Sequence, residues 1–211
     1  MHIQAHFAES RVPVLQELMR SRPLATFIVA IEDDIVVNHL PLMIDSNAAE
    51  NGVIRGHVPR GNRIWESFDG NRKAVAVFHG PEAYVSPSWY PSKREHGKAV
   101  PTWNYVVAHA HGCPMAMHDA AWLLEHLQAM TDAQEAAQAQ PWKVSDAPPD
   151  YVDKMLHGIV GIEMVITRLE GKWKLSQNRP QEDRLMVAAQ LRERGEANSI
   201  AMAALIQGSK T

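Results

Sequence analysis

The chain has 211 residues, with 21 Lys and Arg against 24 Asp and Glu, for a net charge of -3 at pH 7. That length suffices for one sizeable core, and the slightly acidic balance argues against a broad nucleic-acid-binding face. Cys113 is the only cysteine, which excludes an intrachain disulfide and a cysteine-built metal cluster.

No apolar run approaches the roughly 20 residues needed to span a bilayer. The start, MHIQAHFAES, is acidic and polar where a signal peptide would be basic and then apolar. A soluble, reducing, cytoplasmic setting is therefore expected.

Residues 9–22 predict a first helix, with Val12, Leu15, Leu18 and Met19 on one face, Ser10 as N-cap and Pro13 in the tolerated first turn. The period then changes. LATFIVAI is short and β-branched, and Asp33-Asp34 turns it into IVVNHLPLMI, which together read as a hairpin. Asn51-Gly52 marks a turn into VIRGHV. KAVAVFHG, EAYVS, TWNYVVAHAHG and PMAMH supply further strands, with Gly and Pro between them.

Asp119 suits the cap of a helix over AAWLLEHLQAM, and Thr131 with Gln134 forms a capping box for the next turns. Pro148 and Pro149 open a short helix through Leu156. Over 159–169, Val160, Ile162, Met164 and Ile166 alternate with residues of the other face, giving one long late strand. Two helices follow, at about 181–194 and 198–206, ended by Gly195 and Gly208. No repeat, low-complexity tract or long linker interrupts the sequence. The expectation is a single domain over 1–211 with a C-terminal helical pair at about 181–207. Antiparallel strands in succession, with helices at both ends and once in the middle, imply an α+β fold. Its centre is expected to be a barrel, because closure removes exposed strand edges.

The middle third, from Arg55 to Gly112, holds RGHVPRGN, GPEAYVSPSWYPSK and VPTWNYVVAHAHG. This mixture of rings, prolines, hydroxyls and ring nitrogens suits a flat, aromatic, phosphorylated ligand. Rings cover its faces, Ser and Asn bond its polar edge, and Arg and His meet its phosphate. No nucleophile–base pair stands at catalytic spacing, so no catalytic residue is assigned and a bound cofactor fits better than a hydrolytic site.

The segments RPLATFIV, NHLPLMID, RGHVPRGN, GPEAYVSPSWYPSK, VPTWNYVVAHAHG, PWKVSDAP and IVGIEMVITRLEGKWKLSQNRP run almost end to end. In them the chain resembles the PaiB family of FMN-binding negative transcriptional regulators. The resemblance implies an FMN-binding split β-barrel of the pyridoxamine-phosphate-oxidase type, antiparallel and of Greek-key kind, with flanking helices. It also implies a homodimer with flavin in clefts at the subunit interface, and a role in repressing genes for degradative enzymes and sporulation.

With that ligand in view, RGHVPRGN is the phosphate site. A phosphate needs backbone N–H groups and at least one cation, and guanidinium meets its oxygens bidentately. Arg55, His57, Arg60 and Asn62 offer donors, Gly56 and Gly61 permit close backbone approach, and helix amides after Asn62 would assist. The other reading is an ordinary strand–turn with surface arginines. Asn38 and His39 face opposite ways in a strand, so only one can point at a flavin edge; both would otherwise be merely solvated. Pro41 suggests a bulge or edge beside them.

Trp89 or Trp103 is expected beside the flavin, while Tyr84, Tyr90 and Tyr105 have packing as their simplest role. Ser86, Thr102 and Asn104 are candidate edge donors. His109 and His111 share a strand face and would begin a metal or haem site, but no third ligand stands at motif spacing, so no metal is assigned. Cys113 is read as a small buried residue. In GKWKLSQNRP, Lys172 and Lys174 lie on one side and Trp173 on the other. Gln177 and Asn178 suit a pyrimidine edge or a subunit contact, although Asn178 alone would be explained as a helix cap. This segment and the barrel are the expected dimer interface.

DNA binding gains little from the residues. The turn Gly195-Glu196-Ala197 has helix-turn-helix length, yet NSIAMAALIQ carries no basic residue. Arg184, Arg192 and Arg194 in the preceding helix are offset by Glu182, Asp183 and Glu193. Regulation would then be indirect. A flavin-dependent oxidoreductase is the alternative, because FMN itself carries the redox chemistry and no catalytic triad is required. A module that stores flavin or haem is a third reading.

Overall fold

The structure, a computed structural model, describes residues 1–209, with His96 described by its backbone alone. The strands are β1 (Ala8–Glu9), β2 (Leu24–Ile31), β3 (Asp34–Pro41), β4 (Met43–Asp45), β5 (Val53–Pro59), β6 (Ala74–Val85), β7 (Thr102–Gly112), β8 (Met115–Met117) and β9 (Ile159–Lys174). The helices are α1 (Val12–Ser21), α2 (Lys93–His96), α3 (Ala120–Glu135), α4 (Pro149–His157), α5 (Gln181–Arg194) and α6 (Ala197–Gly208). One sheet runs in the order β3-β2-β6-β7-β9-β5-β4, with β1 and β8 also paired to β9. The expected α+β class with an antiparallel sheet is present.

Two compact units divide the chain, and β6, β7 and β9 are long enough to give residues to both. One comprises Met1–Leu18, His79–Ala108 and Glu170–Thr211. Val85, Tyr90, Val106, Leu175, Val187, Leu191, Met202 and Ile206 are buried there. Helices α5 and α6 present Val187, Ala188 and Leu191 on one side and Met202, Ala203 and Ile206 on the other, all buried, around a turn at Gly195 with φ 74°. Glycine tolerates that left-handed backbone without a Cβ clash. A buried guanidinium ties this pair together: Arg184 Nη2 donates to the carbonyls of Ile206 and Ser209 at 3.1 and 2.7 Å.

The second unit comprises Met19–Phe78 and His109–Leu169. Strands β2 and β3 form the expected hairpin, with Phe27 opposite Asn38 and Ile28 opposite Val37. Ala25, Phe27 and Val29 are buried, and Phe27 meets Phe68 edge-on at 6.0 Å. The opposite face of the hairpin carries Leu24, Ile35 and Val37, which are 64%, 68% and 52% exposed. Strand β5 lies antiparallel between β4 and β9, placing Arg55 opposite Glu163 and His57 opposite Gly161.

Several element boundaries differ from expectation. IVVNHLPLMI is two strands, because the chain leaves β3 at Leu42, whose N–H bonds the Pro23 carbonyl at 2.8 Å. KAVAVFHG and EAYVS are one strand, β6, which continues through Gly80-Pro81 since proline's fixed φ is compatible with extended backbone. Thr131 starts no second helix; α3 runs on to Glu135 behind the expected Asp119 cap, whose Oδ1 accepts from Trp122 N at 2.8 Å. Strand β9 extends past Leu169 to Lys174.

Candidate functional site

Strand β5 ends in a turn that collects three of the expected donors. Arg60 N–H bonds the Gly158 carbonyl and Asn62 N–H bonds that of Pro59, both at 2.8 Å. Exposed Arg60 directs Nε to the His157 carbonyl at 3.0 Å and Nη2 to that of Ile159 at 3.1 Å, with its guanidinium 5.8 Å from the Trp65 ring centre. Asn62 opens a short 3-10 turn, Arg63–Ser67, by accepting from Ile64 N at 3.4 Å. Its amide also donates to Asn38 Oδ1 at 2.7 Å. Asn38 and Asn62 are 24 positions apart in sequence and are joined here directly. His39 faces away, with Nδ1 3.3 Å from Thr26 Oγ1.

Arg55 and His57 share one face of β5 and belong to a different group of side chains. Arg55 Nε donates to Glu163 at 2.9 Å and Nη1 lies 3.7 Å from Asp45. Trp122 donates its indole N–H to the same Glu163 oxygen at 3.3 Å. Its ring stacks on His126 at 5.4 Å and 22°. His126 Nε2 in turn lies 3.2 Å from His57 Nδ1. Burial pushes the His57 imidazole below its ordinary range. Burial, then the neighbouring His57 and Arg55, pushes His126 down to about 4. Both rings are therefore neutral at pH 7, and one donates to the other. Gly161 makes the arrangement possible, because a Cβ there would collide with the Trp122 ring.

The remaining expected residues lie in the first unit. Ser86 caps the turn Pro87–Trp89 and bonds Ser88 Oγ at 2.7 Å. Trp89 is half-buried beneath Arg194, whose guanidinium sits 4.6 Å from the ring centre. Trp103 is 53% exposed and meets Tyr84 edge-on at 6.0 Å. Thr102 Oγ1 accepts from Lys174, whose ammonium burial pushes below its usual range. Asn104 is fully buried and exchanges hydrogen bonds with Ser176 at 3.0 and 3.3 Å. Lys172 donates to the His2 carbonyl at 3.2 Å and lies over the Tyr105 ring.

Gln177 is held within its own segment, accepting from Leu175 N at 2.7 Å and donating to the Trp173 carbonyl. Asn178 does not cap α5, which starts behind Pro180 without a side-chain cap. His109 and His111 lie with rings 6.2 Å apart, and Arg168 donates to His111 Nδ1 at 3.1 Å. Cys113 is half-buried, with Sγ 3.5 Å from the Asn71 carbonyl. Trp122, His126 and Glu163 are not among the expected site residues. The one local signal for them is Trp122 and His126 four apart, on one face of a helix opened by Asp119.

A family model described as "Putative FMN-binding domain" matches residues 1–168. The chain belongs to this FMN-binding family. Its PaiB character is borne out by the Protease synthase and sporulation protein PAI 2 of Bacillus subtilis, 30% identical over 98% of this chain and 97% of that protein. An uncharacterised protein of Emericella nidulans is 32% identical over 87% of each chain. Among solved structures, the flavocytochrome Anf3 of Azotobacter vinelandii superposes with a TM-score of 0.61, at 12% identity, over 86% of this chain and 77% of that one. At that identity the likeness concerns the fold. The α+β split-barrel class expected for a PaiB-type chain stands. Among the described residues, no helix of this family member is long and apolar enough to cross a membrane.

Proposed function

We propose that this PaiB-family chain binds FMN as a cytoplasmic homodimer and acts as a negative regulator of transcription through the flavin's state. The observation carrying the proposal is the FMN-binding family match together with the donor set after β5. Arg60 engages two of its five N–H groups with carbonyls, so three remain for an anion. The space beside Gly61 is open, and Asn62 is fixed by its bond to Asn38. These groups fit a phosphate, which guanidinium binds through charge-assisted hydrogen bonds. Arg60 and Asn62 would hold the phosphate and Asn38 would position Asn62. When bound, FMN supplies hydride and one-electron chemistry.

The exposed apolar hairpin face, Leu24, Ile35 and Val37, supports the second copy. A two-fold interface places one patch against itself, and this one is too apolar to favour water. Val37→Asp should convert a dimer to monomers in sedimentation; an unchanged mass removes that face from the interface. For the flavin itself, titration of FMN into the purified chain should quench flavin fluorescence at one equivalent per chain. Absence of saturable quenching defeats the proposal.

A second reading, flavin-dependent oxidoreductase, gains from the C-terminal helices. Ser199, Met202, Ala203 and Ile206 of α6 are buried, and the helix carries no Lys or Arg to reach a phosphate or base edge. Anaerobic reduction of the bound flavin by NADH or NADPH would favour this enzyme. A gel shift that weakens steeply with salt would favour direct DNA contact and the regulator.

A further inference from the structure

A cleft of about 570 Å³ lies between α3 and the β4 segment, and the flavin proposal makes no use of it. Its size falls within the range of small-molecule sites, roughly 300–1,000 Å³. One wall is a single helical face. Trp122, Glu125, His126 and Ala129 follow the i, i+3, i+4, i+7 spacing of α3. The facing wall is the chain from Met43 through Asn47, joined by Arg55 and by Arg20, whose Nη2 donates to Ser46 Oγ at 3.1 Å.

Two features restrict what such a cleft can hold. The first is charge. Arg20 and Arg55 line it together with Asp45 and Glu125, two of each sign. A simple anion meets two carboxylates and a simple cation meets two guanidiniums, so each pays desolvation against like charge. A ligand carrying one charge of each sign finds a complement for both.

The second feature is preorganisation. Arg55 is fixed by Glu163 and Asp45, and it lies 6.0 Å from the centre of the Trp122 ring. That indole, with Met43 and Ile44, offers apolar surface. His126 is only 4% exposed yet lines the cleft. Its Nε2 faces His57. The other imidazole nitrogen, Nδ1, can donate or accept according to tautomer, so the neutral ring suits a ligand N–H or carboxylate oxygen.

The geometry points to a second ligand site in this cleft, for a small zwitterion of the free α-amino-acid class. The carboxylate lies toward Arg20, the ammonium toward Glu125, and the side chain rests on Trp122 and Ile44, beside the already compensated Arg55–Asp45 pair. This assignment is independent of the flavin reading.

Calorimetric titration of the FMN-loaded full chain tests it, using L-leucine and L-phenylalanine as probes. Isovalerate, isoamylamine, 3-phenylpropionate and phenethylamine serve as analogues that lack one of the two charges. Saturable binding of at least one amino acid is expected, with both of its single-charge analogues weaker by on the order of tenfold, the loss of one charge-assisted contact. Glu125→Gln should weaken the amino acid by a similar factor. Ala129→Trp, which fills the cleft from an exposed helical position, should abolish its binding while FMN stays bound.

No heat from either amino acid up to about 10 mM, a concentration that would reveal even millimolar affinity, overturns the proposal. So does equal binding of the single-charge analogues, or undiminished binding in Ala129→Trp. Loss of FMN from Ala129→Trp also overturns it, by giving the cleft to the flavin. If the chain takes up no FMN at all, the flavin reading fails, and the same titration on the chain as purified still decides the cleft.

Discussion

The two ends of one short strand, β5, hold arginines in opposite circumstances. Arg60, just past the strand, is exposed and bonded to backbone carbonyls, with donors to spare. Arg55, inside it, is compensated by Asp45 and Glu163 and belongs to a chain of contacts through Trp122 to His126 and His57. A cation meant for an incoming anion keeps unfilled hydrogen-bonding capacity. A cation meant to fix a site is bound to carboxylates already. RGHVPRGN looks like one motif in sequence, yet it serves two neighbourhoods.

The sharpest way to break this contrast is at Gly161. Gly161→Ala would drive a methyl into the Trp122 ring and should cost about 1–3 kcal/mol in urea unfolding, the usual range for overpacking. The near-ultraviolet signal of tryptophan should change with it. Unchanged stability would mean that Trp122 is not seated on β9 as described.

Next is Arg60→Ala, which should weaken FMN by about 1.5–3 kcal/mol in fluorescence titration, the range for a hydrogen bond to a charged group. Gly161→Ala should disturb flavin much less than Arg60→Ala does. Equal effects on flavin from both would merge the two neighbourhoods into one site.

The histidine pair gives a pH test with a definite sign. His126 titrates near 4 in the folded chain and near 6.5 when unfolded. Above about pH 6.5 both states are neutral at this residue and its contribution to stability is fully present. As pH falls toward about 4 the unfolded chain takes up the proton first, so stability is lost across that window. Urea midpoints at about pH 7 and pH 5 should therefore differ, and His126→Gln should reduce the difference. An identical difference in the variant would show that other groups account for it.

The smallest effect is expected from Arg63→Ala. Its ion pair with Glu66 is largely open to solvent, and such pairs contribute little. Thermal unfolding should be unchanged. A loss of flavin affinity approaching that of Arg60→Ala would extend the phosphate site along the turn.

Much of this molecule was legible because the signals were local. The LATFIVAI hairpin, the Asp119 cap, the alternation in β9 and Gly195 are written within a few residues each, and they stand where they were expected. The motif segments carried the family. Long-range pairing was not legible. His57 meets His126 across 69 positions, and Arg55 meets Glu163 across 108. Asn104 illustrates the same limit from the other side. Its amide looked like a free edge donor until Ser176, 72 positions away, was seen to hold it in the core. Register decides such partnerships, and register is set by the packed sheet as a whole.

The clamp at the end of α6 bears on how the protein withstands proteolysis. Arg184 is buried, and two of its acceptors are carbonyls of Ile206 and Ser209, at the edge of the described chain. A cut before Ser209 would strip a hydrogen-bond acceptor from a buried guanidinium. The damage would then reach the whole α5–α6 pair, so the loss of one carbonyl should count for more here than on most surfaces.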